Sequence, residues 1–196
     1  MSGQRRRESE AERRERRAAV DDPAVVLDAA ARFLEVRPRS VAEVQRRLRR
    51  AGYRSDLVDG AIVRLVDLGM LDDEAFARLW VESRDRARPR GERALREELR
   101  IKGVERSVIE QVLAQRRGPM DGPASPEDAP AEDPDRVAAV RLLERHARSL
   151  GRIADPRQRR QRAYALLARN GFDPETCREI AASVLDVEPG SWDGVG

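Results

Sequence analysis

The stretch GMLDDEAFARLWVESR (residues 69–84), followed by RPRGERALREELRIKGV (88–104) and ERSVIEQVL (105–113), decides how the chain is built. It reads as three short helices in a row. Asp72 and Asp73 suit a helix start, because a carboxylate accepts hydrogen bonds from the first unpaired amides and its charge matches the positive helix end. Behind them Ala75, Phe76, Leu79, Trp80 and Ser83 recur at helical spacing as one mostly apolar stripe, which predicts a buried Trp80. Pro89 and Gly91 break the pattern. Leu95 and Leu99 mark a second helix ending at Gly103, where a residue without a Cβ turns left-handed at little cost. Val108, Ile109, Val112 and Leu113 mark the third. Helices under about 12–15 residues are marginal alone in water, so the three must pack on one another.

The same unit stands before and after. Leu48-x-x-x-Gly52-Tyr53 matches Leu99-x-x-x-Gly103-Val104 and Leu167-x-x-x-Gly171-Phe172, and the apolar pairs downstream stay in register without a gap. Arg37-Pro38-Arg39-Ser40 lies opposite Arg88-Pro89-Arg90-Gly91. The glycines are 51 and 68 residues apart, and an insertion of matching size is visible between Gly118 and Pro134. Self-similarity at such a period points to a repeat array. The expected fold is therefore all-α: three tandem three-helix repeats.

The chain divides accordingly. Residues 1–21 are almost entirely Arg, Glu and Ala and read as a charged arm, disordered or a fraying helix. Residues 22–68 form the first repeat, opened by Asp22-Pro23 and carrying a capping box at Ser40-x-x-Glu43. Residues 69–117 form the second, with hardly a break from the first, which implies direct packing between them. Residues 118–133 are rich in proline, glycine and acid and read as a flexible linker, after which the third repeat, 134–187, is free to hinge. Residues 188–196 read as a loose tail.

Of 196 residues, 38% are charged and only 4% aromatic, which suits thin layers of helix on helix better than one thick core. No apolar run approaches the 18–20 residues needed to cross a bilayer, and no signal peptide is recognisable. A single cysteine, Cys177, excludes an intrachain disulfide and suits the cytoplasm. His146 is the only histidine, so a zinc site or an acyl-transfer triad lacks its residues. His146 reads as a surface residue and Cys177 as core. The Asp72-Asp73-Glu74 cluster is explained by capping, and no glycine loop that could cradle phosphates is present. No cofactor or metal is expected, and the chain reads as a binding protein rather than an enzyme.

Net charge is only +3, yet it is unevenly placed. Residues 37–54 carry a local +6, residues 84–102 a local +4 and residues 141–162 again +6, whereas 56–74 and 118–135 are acidic. In each repeat the basic excess sits at the end of the first helix and along the second. If equivalent helices face one way, the basic segments line one side and attract a polyanion or an acidic protein groove.

The second repeat, L-D-D-E-x-F-A-x-x-W-x-x-S-R followed by G-x-x-x-L-x-x-E-L-x-x-K-G-V, resembles the RecX regulatory proteins of bacteria. The first repeat supports this with R-S-V-A-E-V-x-x-x-L-x-x-x-G-Y. The resemblance covers residues 24–115 well and the third repeat weakly. The chain departs from the pattern in its charged arm, its acidic insertion and its near absence of lysine. The resemblance implies an elongated, curved array that binds the RecA recombinase filament on DNA and restrains its ATPase and strand exchange, without being an enzyme. On that reading Arg46, Arg50, Arg86, Arg90, Arg96 and Lys102 are the candidate contacts to RecA or DNA, and the protein is a cytoplasmic monomer. The alternative is a nucleic-acid-binding helical protein that acts without RecA.

Overall fold

The computed structural model describes residues 9–118 and 133–183, and among them every regular element is an α-helix. A first triplet comprises α2 (Pro23–Leu34), α3 (Val41–Ala51) and α4 (Ser55–Asp67), which follow a short α1 (Glu10–Ala18). A second comprises α5 (Asp73–Ala87), α6 (Glu92–Lys102) and α7 (Arg106–Arg117), and a third α8 (Pro134–Gly151), α9 (Pro156–Arg169) and α10 (Pro174–Ser183). The expected all-α fold of three helix triplets is thus present. Helix starts follow the chemistry read from the sequence: Asp22 accepts the Ala24 amide ahead of Pro23, and Ser40 and Glu43 form a capping box. The acidic linker, apart from Gly118 and Asp133, and the tail lie outside the described residues.

Each triplet ends its second helix on a left-handed glycine, with φ of 101° at Gly52, 83° at Gly103 and 85° at Gly171. The closure repeats in detail. Tyr53 donates its amide to the Leu48 carbonyl at 3.3 Å, and Phe172 donates to Leu167 at 3.4 Å, which satisfies carbonyls that the helix end would orphan.

Two compact units are resolved. Among described residues the first holds 9–76 with 102–105, and the second holds 77–101, 106–118 and 133–183. In the first, Val26, Ala30, Val44, Leu48, Val58 and Leu65 close a core beneath α2, α3 and α4. Ser40 Oγ donates to the Lys102 carbonyl at 2.7 Å, and the Val41 amide donates to Asp73 Oδ1 at 2.9 Å. A Cβ on Gly103 would lie 2.4 Å from that of Ala42, so only glycine allows this approach.

The second unit repeats those contacts with other residues. The Gly91 amide donates to the Asn170 carbonyl and the Glu92 amide to Asp135 Oδ2, both at 3.0 Å. Gly171 approaches Ala94 as Gly103 approaches Ala42. Arg116, its side chain 6% exposed, bridges Asp85 and Asp135. The sequence left the third triplet free to hinge, whereas these contacts join it to the second. Its own core holds Ala139, Leu143, Leu167, Phe172, Cys177 and Ile180.

Over Glu10–Ala18 the arm, expected to be disordered or a fraying helix, is helix α1, opened by a capping box between Ser9 and Glu12. Arg17 donates to the Ala51 carbonyl at 3.3 Å and lies over the Tyr53 ring, and a Cβ on Gly52 would fall 2.5 Å from Arg14 Cγ. Ala51 precedes Gly52 as Lys102 precedes Gly103 and Asn170 precedes Gly171. Helix α1 therefore covers the first glycine turn as α3 and α6 cover the others, the role of a terminal cap in a repeat protein.

One stripe is also rotated. Leu79 is 49% exposed and Ser83 exposed, while Phe76, Ala77 and Val81 are buried. Trp80 is only half-buried, because its Nε1 donates to Glu98 at 2.8 Å and Arg84 stacks 4.3 Å above its ring. His146, expected at the surface, is half-buried, with Nδ1 2.9 Å from the Leu142 carbonyl. Cys177 is buried, as its apolar position suggested.

Candidate functional site

The six basic residues singled out from the sequence fall into two classes. Arg50 and Arg86 are exposed, and their side chains have no partner among the described residues. The other four are held within the protein. Arg46 donates to the Lys102 carbonyl at 3.3 Å, and Lys102 Nζ lies 2.8 Å from Glu43. Arg90 bonds Asn170 Oδ1 and lies 3.4 Å from Glu98, the carboxylate that Arg84 and Trp80 also share. Arg96 contacts Glu110 at 2.8 Å and Glu92 at 2.7 Å, and those hydrogen bonds raise its already high pKa further. Arg46 and Lys102 thus come together in one network, while Arg50 and Arg86 stand apart from it.

The carboxylates in these networks are perturbed in opposite senses. Burial pushes Glu43 up, but hydrogen bonds from Lys102 and Arg37 outweigh it and hold its pKa below the usual value. Burial raises Asp73, and the Val41 amide only partly offsets it. Asp72 caps α5 by accepting the Glu74 and Ala75 amides, so the acidic cluster is engaged by backbone. Among the described residues no group of three His, Cys, Asp or Glu is placed to hold a metal ion. In the same set no helix is long and apolar enough to cross a membrane.

The third triplet carries basic groups that the sequence reading placed in a charged segment but did not count among the candidate contacts. Arg148, Arg152, Arg157, Arg160 and Arg162 are exposed and have no partner among the described residues. The segment's local +6 was the available signal; which side chains were free was not. Hydrogen bonding across 14 to 80 residues decides that, as Arg84 to Glu98 and Arg90 to Asn170 show.

A triplet with a left-handed glycine, repeated three times, can be set against known proteins. Three family models match in chain order: the RecX first three-helix domain on residues 27–65, the second on 72–113 and the third on 135–180. The regulatory protein RecX of Mycolicibacterium smegmatis is 34% identical over 157 residues, covering 80% of this chain and 76% of that one. The chain belongs to the RecX family. The RecX of Chlorobium phaeobacteroides is 31% identical over 168 residues, covering 85% of this chain and 98% of that one. Among solved structures, RecX from Lactobacillus salivarius superposes with a TM-score of 0.68 at 20% identity, covering 85% of this chain and 99% of that one. At that identity the likeness speaks for the fold. The family is one of regulatory proteins rather than enzymes, and the third triplet, weakest in the sequence resemblance, is matched as a RecX domain in its own right.

Proposed function

We propose that this RecX-family protein binds the RecA recombinase filament on DNA and restrains its ATPase and strand-exchange activity, acting as a cytoplasmic monomer. The observation that carries the reading is the ordered match of all three RecX domains along one chain, at family-level identity over most of its length. A regulator built of repeats gains avidity on a polymer, because each further contact is made at high effective concentration. Exposed arginines supply long-range attraction to phosphates or acidic protein surface. Arg50 and Arg86, free of internal partners, are the primary contacts, and Arg46, Arg90, Arg96 and Lys102 act mainly by holding the surface in shape.

The test is single-strand-DNA-dependent ATP hydrolysis by RecA with and without the protein. Wild type lowers the rate. R50E/R86E lowers it less at equal concentration, while retaining its helical circular dichroism. Unchanged inhibition by R50E/R86E removes these two residues, and no inhibition by wild type removes the reading. Tight binding to bare DNA together with indifference to RecA–DNA filaments would favour the RecA-independent alternative. In that case log affinity falls by about 0.9 per neutralised duplex phosphate for each unit of log salt.

A further inference from the structure

Three helix faces in this protein each receive a glycine turn: α1 receives Gly52, α3 receives Gly103 and α6 receives Gly171. The matching face of α9 receives nothing from the described residues. With the glycines 51 and 68 residues apart, Ala42 and Arg46 of α3 correspond to Gln161 and Ala165, and Arg90 and Ala94 at the second junction correspond to Gln158 and Arg162. Those four residues line an open groove of about 980 Å³ on the third triplet. Leu150, Ile153, Ala165 and Leu166 give it an apolar floor, and Arg162, Arg169, Gln158 and Gln161 give it a rim of donors.

The groove differs from the seats of the later two glycine turns. On α3 and α6 the glycine comes closest to Ala42 and Ala94, whereas α9 carries Gln161 and Arg162 at those registers; on α1 the residue nearest Gly52 is Arg14. The longer side chains of α9 leave no alanine seat of the kind found under Gly103 and Gly171. They suit a looser occupant that brings negative charge and a few apolar side chains. Arg162 and Arg169 are exposed and unpaired among the described residues, so their charges are available to it.

We infer that this groove is the docking site for the chain's own acidic tail, residues 184–196. The tail carries Asp186, Glu188 and Asp193 with no basic residue, and Leu185, Val187 and Trp192 match the apolar floor. It follows directly on Ser183 at the end of α10, within the same triplet. Its 13 residues span up to roughly 40 Å when extended, whereas the 14-residue α9 is only about 21 Å long. Tethering supplies a millimolar-order effective concentration, so weak charge and apolar contacts suffice. Seated there, the tail masks two free arginines and withholds part of the basic surface from any polyanion. Nothing in this contact requires RecA.

Trp192 reports directly. Its fluorescence is obtained in the full-length chain as the difference between wild type and W192F. The expected result is emission at shorter wavelength, with weaker acrylamide quenching, than from a free peptide of residues 184–196. R162E/R169E raises the quenching to that of the peptide, and R152E/R157E, on arginines outside the groove, leaves it low. R162Q/R169Q, which removes charge without reversing it, moves the same way as the glutamate pair and guards against misfolding. Three outcomes overturn the assignment: quenching equal to the free peptide in wild type, protection untouched by R162E/R169E, or protection that grows with protein concentration. The last would place the tail on a second copy.

Discussion

The Arg116 guanidinium, with 6% of its side chain exposed, lies 2.5 Å from the Asp135 carboxylate, which is itself 12% exposed. Asp85 accepts the other side of the same guanidinium at 2.8 Å. Arg116 lies in the last turn of α7 and Asp135 in the first turn of α8, so a charge pair excluded from water joins the second triplet to the third. Removing one member of such a pair leaves the other buried without compensation, at a cost of about 3–5 kcal/mol. R116M is therefore expected to lower the urea midpoint strongly. R116M/D135N, which also removes the stranded charge, recovers part of the loss.

Gly91 isolates packing from backbone conformation. Unlike Gly103 and Gly171 it has no left-handed φ, yet a Cβ there would sit 2.4 Å from the Gly171 carbonyl oxygen and the Phe172 amide nitrogen. G91A is expected to cost about 1–3 kcal/mol through overpacking alone. Gly69, with φ of 67° and open space around it, isolates the other term, and G69A should cost about 1–2 kcal/mol from the left-handed backbone. Chemical denaturation of the two variants separates the effects.

Asp73 and Glu43 set opposite pH dependences within the first unit. Asp73 has its pKa raised by burial, so the folded state holds its proton more tightly; its contribution is present at low pH and lost as pH rises through the folded pKa. Glu43 has its pKa lowered, so its contribution is present above about 4.5 and lost as pH falls through the folded value. D73N, which keeps the acceptor for the Val41 amide, should raise the melting temperature at neutral pH relative to wild type, and this advantage should vanish near pH 3. E43Q should lower it at neutral pH and converge with wild type in acid. Melting curves across pH 3 to 7 check both signs.

Cys177 is fully buried, its Sγ 3.6 Å from the Phe172 carbonyl, and burial pushes its thiol pKa up. Thiolate is the reactive form, so labelling by a disulfide reagent should be slow in the native state and fast in denaturant. Rapid native labelling would mean that the third triplet opens readily.

The glycine spacing made the triplets legible, because a helix end that needs φ near +90° leaves a mark few other residues can replace. The charge segments were legible too, but the surface was not. Arg50 and Arg96 look alike in the chain, and only the fold puts Glu110 and Glu92 within reach of Arg96 while leaving Arg50 alone. Helix α1 was legible only as one of two options for the arm, for a related reason. It buries no side chain, so no apolar stripe betrays it; the capping box at Ser9 and Glu12 was the one local signal. The stripe of α5 was misplaced by one position because Trp80 satisfies its indole on Glu98 at the rim instead of entering the core.

Because α1 occupies against Gly52 the seat that an upstream neighbour's second helix would take, the two directions of growth are not equivalent. A further triplet joined ahead of residue 10 must first evict α1, whereas one joined after α10 meets no such occupant among the described residues. At that end Gln161 and Arg162 stand where Ala42 and Ala94 seat the glycine turns, so the two ends resist direct continuation of the array for different reasons.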